Sequence, residues 1–213
     1  MSRDESRFRD LICRFGDLLY RRGYAHGSTG NVSARLDDGA ILISPTNSCL
    51  GLLDPERIAK VDEAGRHISG DPPSKEGFLH LAMYEERPTS RAIVHLHCTH
   101  AVAVSCQCHA DPANVLPPLT AYHVMRVGKL PLVPYFRPGD RGLAEAVRAL
   151  ARDHHAVLLA NHGPVVAGRT IEDAVFAAEE LEETAKLTFL LSGRQTAPLG
   201  PEQIAELAAA FPS

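Results

Sequence analysis

Two histidines one residue apart, His95-Leu96-His97, are the first feature of this chain that could do chemistry. On an extended strand alternate side chains share a face, so both imidazoles would project together, roughly 7 Å apart along the backbone. That is close enough to share one metal ion. His162 adds a third ring from the turn Asn161-His162-Gly163-Pro164, directly after an apolar run. Three neutral imidazoles suit a borderline divalent ion such as zinc, and three protein ligands with a displaceable fourth position form a catalytic rather than a structural centre. Taken singly, each histidine has a plainer reading, as a hydrogen-bonded core residue or a solvated turn residue. Glu76 is the fourth candidate. It follows Pro72-Pro73-Ser74 in the first turn of an expected helix, where the helix dipole favours a carboxylate. It reads either as an ordinary helix-start residue or as a carboxylate that binds the ion at rest and carries a proton once substrate displaces it.

A second set of residues is suited to anions. Ser28-Thr29-Gly30-Asn31, Pro45-Thr46-Asn47 and Ser74-Lys75 each fall at an element boundary, where backbone N–H groups are free to point at a ligand. Each is most simply a turn; if Thr29, Gly30, Asn31, Thr46, Asn47, Ser74 and Lys75 converge, they could cradle a phosphate. The remaining histidines carry less. His26, His67, His109, His154 and His155 read as solvated, His80 lies within a helix, and His123 could touch a substrate only by virtue of its neighbour Tyr122.

The elements that must position these groups follow from periodicity. Phe8, Leu11, Ile12, Phe15, Leu18 and Leu19 recur at three-four spacing and predict a helix from Glu5 to Arg22. Short strands are expected at Asn31–Leu36, Ile41–Ser44 and Arg57–Asp62, then a helix at Lys75–Glu86 with Ser74 as its N-cap. A strand Ala92–Cys98 carries the histidine pair and passes into a helix Thr99–Cys108. Pro117-Pro118 marks a loop. Leu130–Val133, Ala156–Ala160 and Val165–Gly168 read as strands, and helices are expected around Leu143–Leu150, Ile171–Leu191 and Glu202–Ala210. Strands and helices are interspersed throughout, which predicts a single α/β layered domain spanning residues 1–213.

Composition narrows the function. The 213 residues carry 22 Lys and Arg against 26 Asp and Glu, a net charge of −4, which argues against nucleic acid or an anionic membrane as partner. No apolar run approaches the roughly 20 residues of a membrane span, and the N-terminus lacks a secretory apolar segment. Five cysteines at irregular positions predict free thiols and a cytoplasmic location.

The segments Gly30-Asn31-Val32-Ser33, Ile43-Ser44-Pro45-Thr46, Pro73-Ser74-Lys75-Glu76, His95-Leu96-His97 and Asn161-His162-Gly163-Pro164 occur in the order and spacing of the class II aldolase/adducin family. The chain resembles that family from about Phe8 to Gly193. Ser48-Cys49-Leu50-Gly51, the stretch Leu132 to Asp140 and the stretch Glu179 to Leu187 resemble its 3-oxo-tetronate 4-phosphate decarboxylase branch. The resemblance implies a three-layer α/β/α sandwich with a central, mostly antiparallel sheet, assembled as a homotetramer. It implies His95, His97, His162 and Glu76 as ligands of one Zn2+ per subunit (Mn2+, Co2+ and Fe2+ fit the same donors), with Glu76 also the proton acceptor. It further implies phosphate binding by the residues from Thr29 to Lys75 named above, and Tyr122 as proton donor. The implied substrate is a small phosphorylated four-carbon sugar acid, decarboxylated through an enediolate to dihydroxyacetone phosphate and CO2. Retro-aldol cleavage or epimerisation of a sugar phosphate is the neighbouring alternative, and a non-catalytic adducin-like scaffold a further one. Lys75 stands where fuculose-phosphate aldolases have a second Ser, and Asn47 where they have Gly; both departures favour the decarboxylase branch.

Overall fold

Side-chain alternation along the strands divides the interior into two apolar layers with one sheet between them. The computed structural model describes residues 3–137 and 139–211; Pro138, inside the Leu132-to-Asp140 motif, and the terminal residues Met1, Ser2, Pro212 and Ser213 lie outside the described residues. The strands are β1 (Asn31–Arg35), β2 (Ile41–Ile43), β3 (Ala59–Val61), β4 (His67–Ser69), β5 (Ala92–His95), β6 (Leu132–Val133), β7 (Ala156–Leu159) and β8 (Gly163–Gly168). They form one sheet in the order β4-β3-β2-β1-β5-β8-β7-β6. Every pairing is antiparallel except β6 with β7.

Helices α1 (Arg3–Arg21), α3 (Thr99–Ser105) and α6 (Ile171–Leu190) pack on one face against Val32, Ala34, Val94 and Val166. Helices α2 (Gly77–Glu86) and α5 (Arg141–Ala151) pack on the other, against Ile41, Ile93, Val157 and Val165. The expected three-layer α/β/α arrangement is therefore present. Ile12, Leu42, Leu79, Ile93 and Leu96 are fully buried, each contributing about 1.5–3 kcal/mol by leaving water. Helices α4 (Ala121–Arg126) and α7 (Pro201–Ala210) pack on each other, and α4 also lies against α6.

Three differences from the periodicity matter for function. Helix α2 starts at Gly77, not Lys75, and Ser74 is not its N-cap. The cause is local: Ser74 N–H donates to the Ser44 carbonyl (3.2 Å) and Pro45 bridges Pro73, so this segment is extended and Glu76 takes the cap position. Strand β5 ends at His95 rather than Cys98 because the chain must turn into α3; His97 sits just past the strand. Helix α4, strand β4 and the 3₁₀ turn Leu50–Leu52 were not legible. All are too short to show a period.

Candidate metal centre

Asn31 pairs with His95 across β1 and β5, and His95 pairs with Val165 across β5 and β8. The end of β5 is thus flanked by the start of β1 and the start of β8. His95 shares the face of Ile93, on the side covered by α2 and α5. Its Nδ1–H donates to the Pro164 carbonyl (2.8 Å), which leaves Nε2 as a bare lone pair. His162 is held by the turn before β8: Asn161 adopts a left-handed φ of 57°. The Asn161 N–H donates to the Ser105 carbonyl, and the His162 N–H donates to Ser105 Oγ at the end of α3. Gly163 is required there, since a Cβ would lie 2.2 Å from the Leu96 carbonyl oxygen.

These supports bring the four expected ligands together. Glu76, His95, His97 and His162 each offer a ligand atom, all within 4.8 Å of one another. Nε2 of His97 lies 3.1 Å from Nε2 of both His95 and His162. The Glu76 oxygens lie 3.4 Å from His95 Nε2 and 3.0 Å from His162 Nε2. Ligands about 2.1 Å from a tetrahedral ion stand roughly 3.4 Å apart, so the donor set matches a zinc-sized cation. The protonation pattern agrees. Burial, and then the neighbouring His95 and His162, push His97 down to about 3, leaving a neutral ring able to donate a lone pair. Burial alone would raise the Glu76 carboxyl, but His162 and His95 beside it outweigh that and hold it well below the usual carboxylate range. An ionised carboxylate beside the lone pair of a neutral His97 is what a divalent cation binds.

The polar turns stack in part: Thr46 N–H donates to Pro72 O and Ser74 N–H to Ser44 O, joining the 44–47 and 72–75 segments, while Ser44 N–H donates to Val32 O, one residue past the 28–31 turn. Gly30 (φ 78°) and Asn47 (φ 55°) take left-handed turns, and a Cβ on Gly30 would come 2.9 Å from the His95 carbonyl oxygen. Within these turns, Thr29 Oγ1 donates to His26 O, Ser74 Oγ accepts from Glu76 N–H, and Lys75 is exposed. The Asn31 side chain is committed elsewhere: its amide donates to Glu76 Oε2 (2.8 Å), so it supports the carboxylate directly.

Tyr122 is not at this cluster. It is 59% exposed on α4, beside the Arg126 guanidinium, which also faces the Phe176 ring of α6. His123 is buried with neither ring nitrogen partnered, which excludes it as a substrate contact from within its own subunit. His155, expected to be solvated, instead donates from Nε2–H to the Arg126 carbonyl (2.8 Å), and burial lowers its pKa. Sequence reasoning also passed over His80, Ser33, Tyr84 and Ser105. The first three had a signal: Glu76, His80 and Tyr84 recur every four residues from the N-cap along α2, while Asn31 and Ser33 alternate on β1.

Residues 10–189 match the model of the Class II Aldolase and Adducin N-terminal domain family. The 3-oxo-tetronate 4-phosphate decarboxylase of Escherichia coli (strain K12) is 50% identical over 203 residues, covering 95% of this chain and 96% of the relative. The L-fuculose phosphate aldolase of the same organism is more distant, 35% identical over 171 residues, or 79% of this chain and 76% of that one. The crystal structure of YgbL from Escherichia coli superposes with a TM-score of 0.93 at 49% identity, covering 95% of this chain and 98% of that one.

Proposed function

The chain belongs to the family of class II aldolases and adducin N-terminal domains, and on that premise we propose that it decarboxylates a 3-oxo-tetronate 4-phosphate to dihydroxyacetone phosphate and CO2. It is an enzyme of the carboxy-lyase class, as are its relatives near 50% identity. The observation that carries the reading is the meeting of Glu76, His95, His97 and His162 from separate elements of the fold. Their donor set fits zinc best, with Mn2+, Co2+ or Fe2+ as substitutes. Bound there, the cation supplies Lewis-acid stabilisation of the negative charge that develops on substrate oxygens.

The chain's own residues do the rest. The C1–C2 bond of the substrate breaks, its electron pair passes through C2 into the C3 carbonyl, and the resulting enediolate is protonated at C2. Glu76 accepts the C2-hydroxyl proton and returns it to the same oxygen once C2 has been protonated, a role open to a carboxylate that is ionised at rest. The polar turns, through Thr29, Gly30, Thr46, Asn47, Ser74 and Lys75, hold the phosphate and fix the reacting end. Asn31 acts one step back, through Glu76. Tyr122, exposed and away from its own cluster, is the proton donor to C2 in a neighbouring subunit of a homotetramer. The chain works as one domain. No helix among the described residues is long and apolar enough to cross a membrane, and the described thiols are free, which supports a cytoplasmic setting.

The test is a product assay for dihydroxyacetone phosphate and CO2 on phosphorylated four-carbon keto acids, with metal analysis of the same sample. Stoichiometric release of both products is expected. Cleavage of a longer ketose phosphate to an aldehyde, with no CO2 from any four-carbon acid, would replace the decarboxylase by an aldolase. Full turnover after exhaustive chelation would remove the metal from the scheme.

A further inference from the structure

A line of buried polar groups runs away from the cluster between α2 and β1. Asn31 Nδ2 donates to Glu76 Oε2 at 2.8 Å. The Asn31 side-chain oxygen faces His80 Nε2. His80 Nδ1 meets Ser33 Oγ at 2.7 Å, and Ser33 Oγ meets the Tyr84 hydroxyl at 2.9 Å. The packing explains the alignment. Asn31 and Ser33 project from one face of β1, and Glu76, His80 and Tyr84 from one stripe of α2. Two residues of strand rise about 6.6–6.8 Å and four residues of helix about 6 Å, so the two rows stay in step.

The direction of every bond follows from one end. A carboxylate only accepts, so the Asn31 NH2 must face Glu76 and its carbonyl must face His80. His80 Nε2 must then carry the proton, which makes Nδ1 an acceptor. Ser33 must donate to Nδ1 and is free to accept from Tyr84. Every member is a neutral donor to the next, and the line ends on the carboxylate. Burial of His80, with His95 nearby, pushes its pKa down to about 3, consistent with the neutral tautomer this pattern needs. His80 and Tyr84 are buried and Ser33 is fully so; such a network is costly unless each member is satisfied.

We infer that His80 is a positioning residue for the metal carboxylate: the line Tyr84→Ser33→His80→Asn31 clamps Glu76 Oε2 and presents the carboxylate to the cation without placing a competing positive charge beside it. This rests on the reading of Glu76, His95, His97 and His162 as metal ligands. Outer partners of this kind typically contribute about 10–100-fold in metal affinity. The Asn31 amide alone would hold Glu76 less firmly, because a side chain bonded at one end only can swing away; His80 anchors the Asn31 oxygen.

The experiment is zinc titration against a chromogenic chelator, with a thermal melt of each metal-free variant. His80→Leu removes the donor to Asn31 and should weaken zinc by about 10–100-fold. His80→Gln keeps an N–H near the position of Nε2 and should restore affinity to within about threefold of wild type, even if its melting temperature is as low as that of His80→Leu. Ser33→Ala removes a single hydroxyl, frees His80 to change tautomer and should weaken zinc measurably, though by less than His80→Leu. If His80→Leu does not fold, Ser33→Ala carries the test. Wild-type affinity in Ser33→Ala or His80→Leu overturns the proposal. So does equal loss in His80→Gln and His80→Leu that merely tracks melting temperature, which would make His80 a packing residue. No substrate enters the readout, so the outcome is independent of the decarboxylation assay.

Discussion

The chemistry of each ligand is set by what its other atoms touch. Because His95 Nδ1–H is spent on the Pro164 carbonyl, its Nε2 has only a lone pair to offer the cluster. His97→Ala should therefore abolish stoichiometric zinc and lower kcat/KM at least about 100-fold, as loss of a principal charge stabiliser does; metal analysis and steady-state kinetics check this. Glu76→Gln keeps the shape of the side chain but not its basicity, so it should retain part of the metal and lose turnover. Activity within threefold of wild type would reduce Glu76 to a helix-start residue. Protonation also governs stability. His80 and His97 have pKa values near 3 in the fold against 6.5 in an open chain. The unfolded chain thus binds more protons between these values, so their stabilisation is complete above pH 6.5 and is lost as pH falls toward 3. Glu76, held low, begins to add to the loss only below about 4.5. The urea midpoint of the metal-free protein should accordingly be lower at pH 5 than at pH 7.5, and the drop should be smaller in His80→Gln. An unchanged difference would mean that His80 is not held neutral by the fold.

At the scale of elements, the site depends on a few places where backbone meets backbone. Gly163 opens β8 at a φ of 154°, with room for no side chain beside Leu96. Gly163→Ala must push β8 from the end of β5 and carry His162 away from His95 and His97. A cost of about 2–3 kcal/mol is expected together with weakened zinc. Gly23→Ala is the control: its φ of 78° is also left-handed, but nothing lies within 4 Å, so about 1 kcal/mol and no change in zinc are expected. Urea unfolding and chelator competition on both variants separate the two effects. The same contrast explains what could be read from the chain. Helices α1 and α6 and the alternation around His95 were legible because burial imposes a period over many residues. The start of α2 was not, because a ladder partner distant in sequence, Ser44, captures Ser74 N–H and delays the helix. Asn31 was assigned to phosphate for a like reason: its type suits an anion, but only the pairing of β1 with β5 shows that its amide reaches Glu76.

At the scale of the molecule, the proposed catalytic set is incomplete within one chain. Glu76 and the three imidazoles lie at the end of β5, whereas Tyr122 stands 59% exposed on α4. Its neighbour in contact, Arg126, is tied through its carbonyl to His155 at the opposite end of β7 from Leu159. Tyr135, Leu190 and Phe211 are also large and more than half exposed. Periodicity reports which side chains leave water but not what covers them, so assembly could not be read from these patterns. A symmetric ring repeats one heterologous contact, and each such contact could pair the cluster of one subunit with Tyr122 of the next. The consequence is testable by complementation. Glu76→Gln and Tyr122→Phe should each be nearly inactive alone. Mixed assemblies formed by co-expression should regain activity, because some contacts join an intact cluster to an intact Tyr122; with equal amounts and random mixing that fraction is about one quarter. If Tyr122 served its own cluster, every mixed site would still lack one group and no activity would return. A single-subunit mass in sedimentation, or inactive mixtures of properly assembled variants, would move the proton donor back inside the chain and leave Tyr122 as a surface residue.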